Sequence, residues 1–182
     1  MSDSPVRPVP AVVPVGSGEA GSLQVASPVF GRPVTYHAQA TVAQALEPSD
    51  VPRLMSLVAS VDGEAGKASE LGGGLLWQRD SGYSALSLTV TPEGERVVVR
   101  GDLNLGGRQF AYFGGAFGAA LLTGLVATNV VPGAQAAAVG VGALLPFGVV
   151  ARALWNASAR RSAVALRELV DRVAAALRGA PE

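Results

Sequence analysis

The chain has 182 residues, only 15% of them charged, and its formal net charge is zero. A balanced charge argues against a nucleic-acid-binding domain, which is usually strongly basic. The absence of cysteine excludes disulfides, zinc–thiolate sites, iron–sulfur clusters and a thiol nucleophile, and the single histidine, His37, cannot build a histidine-rich metal site alone.

Residues 1–32 are predicted to form an extended or disordered arm. The segment is rich in proline, as in the run from Pro5 to Pro10, and it shows no sustained hydrophobic period. Two interpretations stay open: a simple tether, or a segment that becomes ordered against a partner.

Residues 33–107 are predicted to form a small cytoplasmic α+β domain with the element order β-α-β-β-β. Apolar and polar residues alternate from Val34 to Val42, which is the period of a half-buried strand. Ser49 or Asp50 can cap the helix that follows, because its apolar residues then recur at helical spacing. Three further strands are expected after it, within residues 75–79, 83–91 and 96–103. The single helix is expected to cover one face of the sheet.

The most informative feature is a run of 43 residues without charge, from Gln109 to Ala151. A proline–glycine turn signal divides it into two apolar stretches, residues 110–131 and 133–151. As helices these stretches are about 33 and 29 Å long, close to the hydrocarbon thickness of about 30 Å. Residues 108–152 are therefore predicted to form a transmembrane helical hairpin. Burial of both helices in a soluble core, and insertion into a single leaflet, stay open as alternatives.

Small residues four positions apart predict close packing of the two helices. Each stretch alone is only marginally hydrophobic, so the two are expected to insert as a pair, with backbones brought together by small side chains. The same stripe of small residues offers a surface for self-association or for other membrane-protein subunits. The predicted helix-packing residues are Gly114, Gly115, Gly118, Gly124 and Gly142.

Arginines flank the uncharged run on both sides, and the turn within it carries none. By the positive-inside rule, both termini are expected on the cytoplasmic side of the inner (cytoplasmic) membrane. Tyr112 and Phe113 lie at the same predicted level as Trp155, as an interfacial aromatic belt would. The predicted membrane-flanking residues are Arg108, Arg152, Arg160, Arg161 and Trp155. Membrane lipid is therefore an expected partner, and nucleic acid is not.

Residues 153–182 are predicted to form an amphipathic helix that continues the second span out of the membrane. Its apolar side consists of Leu166, Leu169, Val170, Val173 and Leu177. Glu168 and Arg172 are opposite charges four positions apart, a spacing that supports an exposed helix. Three partners for the apolar side stay open: the sheet domain, another protein or copy, and the lipid surface.

No catalytic, cofactor-binding or metal-ligating residue is identified. The only lysine, Lys67, lacks the spacing and the following hydroxyl of a phosphate-binding loop, and the Gly-x-Ser-x-Gly pattern of hydrolases is absent. His37 is expected to be a solvated strand residue, and carboxylate pairs such as Glu93 and Glu95 flank turn glycines. The sequence therefore predicts a protein that is not an enzyme and needs no cofactor.

Three stretches carry a resemblance to a known group, namely Leu75–Gln78, Leu88–Arg96 and Phe113–Gly118. With these residues, the chain from about 34 to 178 resembles a group of uncharacterised bacterial membrane proteins. Those proteins join a small α+β unit to a glycine-rich hydrophobic hairpin and an arginine-containing amphipathic helix. The resemblance implies an architecture and no chemistry.

Two functions are expected from these observations. The leading one is a membrane-anchored accessory or structural subunit that binds and stabilises a larger membrane complex, whether respiratory, photosynthetic or transport-related. The alternative is a membrane-tethered module that holds a small apolar ligand in a cavity around Trp77, Leu86 and Leu88.

Overall fold

The computed structural model describes residues 30–47, 49–62 and 66–179. Almost all of the predicted arm, residues 1–32, lies outside these described residues. The elements are β1 (Thr35–Val42), α1 (Asp50–Asp62), β2 (Lys67–Leu71), β3 (Gly74–Asp80), β4 (Ala85–Glu93), β5 (Arg96–Asn104), α2 (Gly106–Ala127) and α3 (Gly133–Leu177). The protein is thus of the α+β class.

The five strands form one antiparallel sheet in the order β1-β5-β4-β3-β2. The expected order β-α-β-β-β is wrong by one strand, because the edge strand β2 was not recognised. Every residue of β2 is exposed, so its sequence lacks the alternation of apolar and polar residues that marks a half-buried strand. It is joined to β3 by Gly72 and Gly73, which adopt φ values of 58° and 78° that favour glycine in a tight turn.

One face of the sheet carries the core. Its buried side chains alternate along the strands, with Leu86, Leu88 and Val90 on β4 and Val97 and Val99 on β5. The opposite face is mostly polar, which gives these strands the period of two expected for a sheet covered on one side only.

Two helices cover the apolar face, and the expectation of one covering helix is therefore wrong. From α1, Leu54 and Val58 are buried in the core, while the C-terminal half of α3 packs along β1 and β5. Gly101 on β5 permits this approach, since a Cβ there would lie 2.8 Å from Val170 and 2.9 Å from Leu166. Of the three partners considered for the apolar side of the C-terminal helix, the structure selects the sheet.

Helices α2 and α3 pack against each other as an antiparallel hairpin. Helix α2 ends at Ala127, earlier than the expected limit of 131, and residues 128–132 connect it to α3. Helix α3 then continues without a break through Pro146 to Leu177, a length of about 67 Å at 1.5 Å per residue. The expected continuation of the second stretch into the C-terminal helix is confirmed, since α3 runs through the predicted boundary between residues 152 and 153.

Candidate functional site

The hairpin exposes an unusually apolar surface. Leu122, Leu125 and Leu145 are 62, 64 and 76% exposed, and no charged residue occurs from 109 to 151. In α2 only Ala120 is buried by the described residues, and in the matching part of α3 only Ala136 and Ala151 are. We call the outward side chains of residues 110–151 the hairpin surface. Both helices are long and apolar enough to cross a membrane, and the most apolar 18-residue stretch of each is only 6% buried, unlike the core helix of a soluble protein.

The two helices approach most closely at Gly124 and Gly140. A Cβ on Gly124 would lie 3.0 Å from the Cα of Gly140, and a Cβ on Gly140 would lie 3.1 Å from the Cα of Gly124. The buried alanines Ala120 and Ala136 flank this point one turn away on each helix. Gly140 was not among the residues expected at the contact, although it follows Ala136 at the same four-residue spacing of small residues that indicated the others.

The other glycines predicted to pack point away from the hairpin contact. A Cβ on Gly115, Gly118 or Gly142 would meet no atom within 4 Å, and one on Gly114 would meet only the ring of Phe110 in its own helix. Of the five predicted residues, the structure thus brings Gly124 alone to the contact between α2 and α3. The other four leave flat places on the outer side of the hairpin.

The predicted flanking arginines lie at the end of the hairpin next to the sheet. Arg152, Arg160 and Arg161 are exposed. Arg108 is half-buried, and its Nη1 lies 3.4 and 3.2 Å from the hydroxyl oxygens of Ser158 and Ser162.

Trp155 does not lie on an exposed aromatic belt as expected. It is fully buried, its indole N–H donates to the carbonyl oxygen of Arg32 at 3.2 Å, and its ring centroid lies 6.5 Å from that of Tyr112. Phe113 packs edge-on against Phe30 at 5.0 Å. These four aromatic rings join the hairpin to the segment before β1, so their packing holds the hairpin to the sheet domain.

A second feature, which the sequence analysis missed, is a cleft of about 290 Å³ between α3 and the ends of β3, β4 and β5. Its polar lining consists of Arg79, Arg108, Arg172, Glu168, Ser84 and Ser162. Its apolar lining includes Leu86, Leu103, Leu105, Leu166 and Leu169. We call this the basic cleft. The polar groups that form it come from three separate parts of the chain, residues 79–84, 108 and 162–172, so no single local motif predicts it.

The open face of the sheet carries a shallow polar depression of about 580 Å³. Asp102 lines this depression, and its carboxylate pairs with the imidazole of His37 on the neighbouring strand. Ser87 lies on the far side of Asp102, two strands from His37 and so roughly 10 Å away at the usual strand spacing. This His–Asp pair therefore has no serine nucleophile within reach on its own sheet face.

No group of three His, Asp or Glu side chains that could hold a metal ion occurs among residues 30–47, 49–62 and 66–179. Burial raises the pKa of the Tyr36 phenol, and the positive charge of Arg32 acts in the opposite direction. Tyr36 belongs to the core of the sheet domain, so its shifted pKa concerns stability.

The cavity expected around Trp77, Leu86 and Leu88 is only partly present. Trp77 and Leu88 are buried in the core and line neither depression, while Leu86 borders both.

Comparison of the chain with protein-family models, with curated proteins and with solved structures finds no match.

Proposed function

We propose that this protein is a membrane-anchored, non-enzymatic accessory subunit. In this proposal the hairpin of α2 and the first half of α3 spans the membrane, and the sheet domain lies beside it in the cytoplasm. The observation that carries the proposal is the hairpin surface: two long helices that have no charge from residue 109 to 151 and leave their large apolar side chains exposed.

The size of the exposed apolar surface supports a lipid environment. Contiguous apolar patches of more than a few hundred Å² are rare on soluble monomers and mark membrane or protein contacts. Large apolar residues contribute only about 0.3 to 0.6 kcal/mol each to insertion at a helix centre. Each helix also contains glycine and amide side chains, so each alone is only marginally hydrophobic. The two helices, which meet at Gly124 and Gly140, therefore insert into the membrane as a pair in this proposal.

The distribution of the arginines supports the proposed orientation, with the sheet domain in the cytoplasm. The antiparallel hairpin places the start of α2 and the middle of α3 at the same end, where Arg108, Arg152, Arg160 and Arg161 lie. The turn at residues 128–132 has no charge. The positive-inside rule therefore favours a cytoplasmic sheet domain and a turn on the opposite side of the inner membrane.

Labelling of single cysteines tests the anchor, because the native chain has none. We expect a membrane-impermeant maleimide to label Asn129→Cys in intact spheroplasts and to label Asp171→Cys only after lysis. The protein should also stay in the membrane pellet after a sodium carbonate wash. Release by carbonate, or equal labelling of both positions before lysis, would rule out a spanning hairpin.

Outward small residues support a contact with further membrane helices, as an accessory subunit requires. Gly115 and Gly118 leave open, flat places on α2 where a second helix backbone can approach closely. We expect the protein extracted in a mild detergent to sediment as a species larger than the monomer. The double change Gly115→Leu and Gly118→Leu should reduce that species to the monomer, whereas Gly133→Leu at the start of α3 should not. A monodisperse wild-type monomer would count against the proposal.

A further inference from the structure

We propose that the basic cleft binds an anionic amphiphile, with the phosphate head held by the arginines and the alkyl chain lying along the leucines. This inference concerns the sheet domain and the end of the hairpin that adjoins it, and it goes beyond the anchoring function.

The charge of the cleft is unbalanced in favour of an anion. Arg108 and Arg172 line it against one acid, Glu168. Within the part of the chain that the structure describes, no carboxylate oxygen lies within 4.0 Å of the guanidinium of Arg108 or of Arg172. These two positive charges are therefore available to a ligand, and arginine is the side chain best suited to phosphate.

Arg108 is held in position for this contact. Its Nη1 lies 3.2 Å from the Ser162 hydroxyl and 3.4 Å from that of Ser158, so neutral groups orient the side chain without cancelling its charge. Ser162 and Ser84 also line the cleft, and their hydroxyl groups can hydrogen-bond to a phosphate.

The start of α2 adds to the positive potential. Helix α2 is 22 residues long, its first turn contains no acidic residue, and the residue before it, Leu105, lines the cleft. A helix N-terminus carries a partial positive charge, which favours an anion nearby. Arg108 lies in this same first turn, so the two contributions act at one place.

The apolar lining explains why an amphiphile fits better than a simple anion. Leu103, Leu105, Leu166 and Leu169 line the cleft together with the polar groups. At roughly 30 Å³ for each water-sized group, a volume of about 290 Å³ holds about ten non-hydrogen atoms. A phosphate with a chain of about six carbons matches this volume.

The ligand chemistry has two sources, a membrane phospholipid and a soluble phosphate ester. Arg108 stands four residues, or about 6 Å along the helix, before Tyr112, which packs at the base of the hairpin. With the hairpin in a membrane, the cleft thus opens near the phospholipid head groups, and it also remains open to the cytoplasm.

Titration calorimetry of hexyl phosphate into the full chain in neutral maltoside micelles tests the inference. We expect saturable binding, at least about tenfold weaker in Arg172→Glu, because a charge at the cleft is reversed. The matched control is Arg167→Glu, the same charge change at an exposed position of the same helix outside the cleft, which should bind like the wild type. Arg108→Gln should weaken binding as well, with circular dichroism confirming the fold of each variant.

Three comparisons complete the experiment. Inorganic phosphate and hexanol should each bind at least about tenfold more weakly than hexyl phosphate, since each meets only half of the cleft. Displacement of hexyl phosphate by phosphatidylglycerol and not by phosphatidylcholine identifies a membrane lipid as the source, and lack of displacement by both identifies a soluble ester. Equal binding by wild type and Arg172→Glu, or inorganic phosphate binding as tightly as hexyl phosphate, would overturn the inference.

Discussion

Replacement of Gly124 by leucine tests how the hairpin is held together. An added Cβ would lie 3.0 Å from the Cα of Gly140, whereas carbon atoms in favourable contact are about 3.5 to 4.0 Å apart. The Cβ alone therefore requires the helices to separate by about 0.5 to 1 Å, and the three further carbons of leucine require more. Overpacking of this kind costs about 1 to 3 kcal/mol, which lowers the ratio of closed to open hairpin about 5- to 150-fold.

The control is Gly142→Leu, two residues beyond the crossing on α3, where a Cβ meets no atom within 4 Å. Both changes replace glycine by the same better helix former, so the intrinsic helical preference rises equally in the two variants. The difference between the two variants therefore measures the effect of the close contact between Gly124 and Gly140. Leucine is also compatible with lipid, so neither variant should be lost through failure to insert.

Double electron–electron resonance measures the distance between two spin labels, one on each helix of the hairpin. Spin labels on Leu122→Cys and Val141→Cys lie on exposed positions of the two helices, and the native chain has no competing cysteine. We expect a narrow distance distribution for the wild type and for Gly142→Leu, and a broader, longer one for Gly124→Leu. If Gly124→Leu and Gly142→Leu give the same distribution, the close approach at Gly124 and Gly140 does not hold the hairpin together.

Three further changes test the sheet domain. Leu166→Ala should destabilise it by about 2 to 5 kcal/mol, because it removes buried side-chain volume, while Val164→Ala on the exposed side of the same helix should stay within about 0.5 kcal/mol in thermal unfolding. Trp155→Phe should lower the melting temperature, because the loss of its N–H leaves the carbonyl of Arg32 unsatisfied, at a cost of about 1 to 3 kcal/mol; an unchanged melting temperature would contradict that role. Since the pKa of Tyr36 is raised in the folded state, the contribution of Tyr36 to stability is complete below about pH 10 and falls as the pH rises further. The melting temperature of Tyr36→Phe should therefore decrease less than that of the wild type between about pH 8.5 and pH 11.

Much of the secondary structure is predictable from local sequence. The strands β1, β3, β4 and β5 and the helix α1 lie within about two residues of their expected limits, because each presents one apolar face with a clear period. The strand β2 escaped recognition because an exposed edge strand, paired on one side only, needs no apolar face. Its existence depends on the turn at Gly72 and Gly73 and on hydrogen bonds to β3, which are contacts with the rest of the sheet.

The candidate site also combines features that the sequence predicts with features that depend on tertiary contacts. Small residues repeat every four positions on more than one side of α2, so the sequence cannot distinguish Gly124, which faces α3, from Gly118, which faces outward. Trp155 has the composition and position of an interfacial residue, yet it is buried because the segment before β1 passes over it and supplies the carbonyl of Arg32.

By itself, the sequence determined that this protein contains a charge-free helical hairpin next to a small α+β domain, with positive charge collected at one end. These features follow from composition and hydrophobic period, which can be read from short stretches of the sequence. Only the tertiary structure decided which glycines meet, that α3 covers the sheet, and that Arg108 joins Ser162, 54 residues away, at the edge of a basic cleft. Such contacts depend on how helices rotate and dock to fill space between distant segments, and side-chain packing sets that docking.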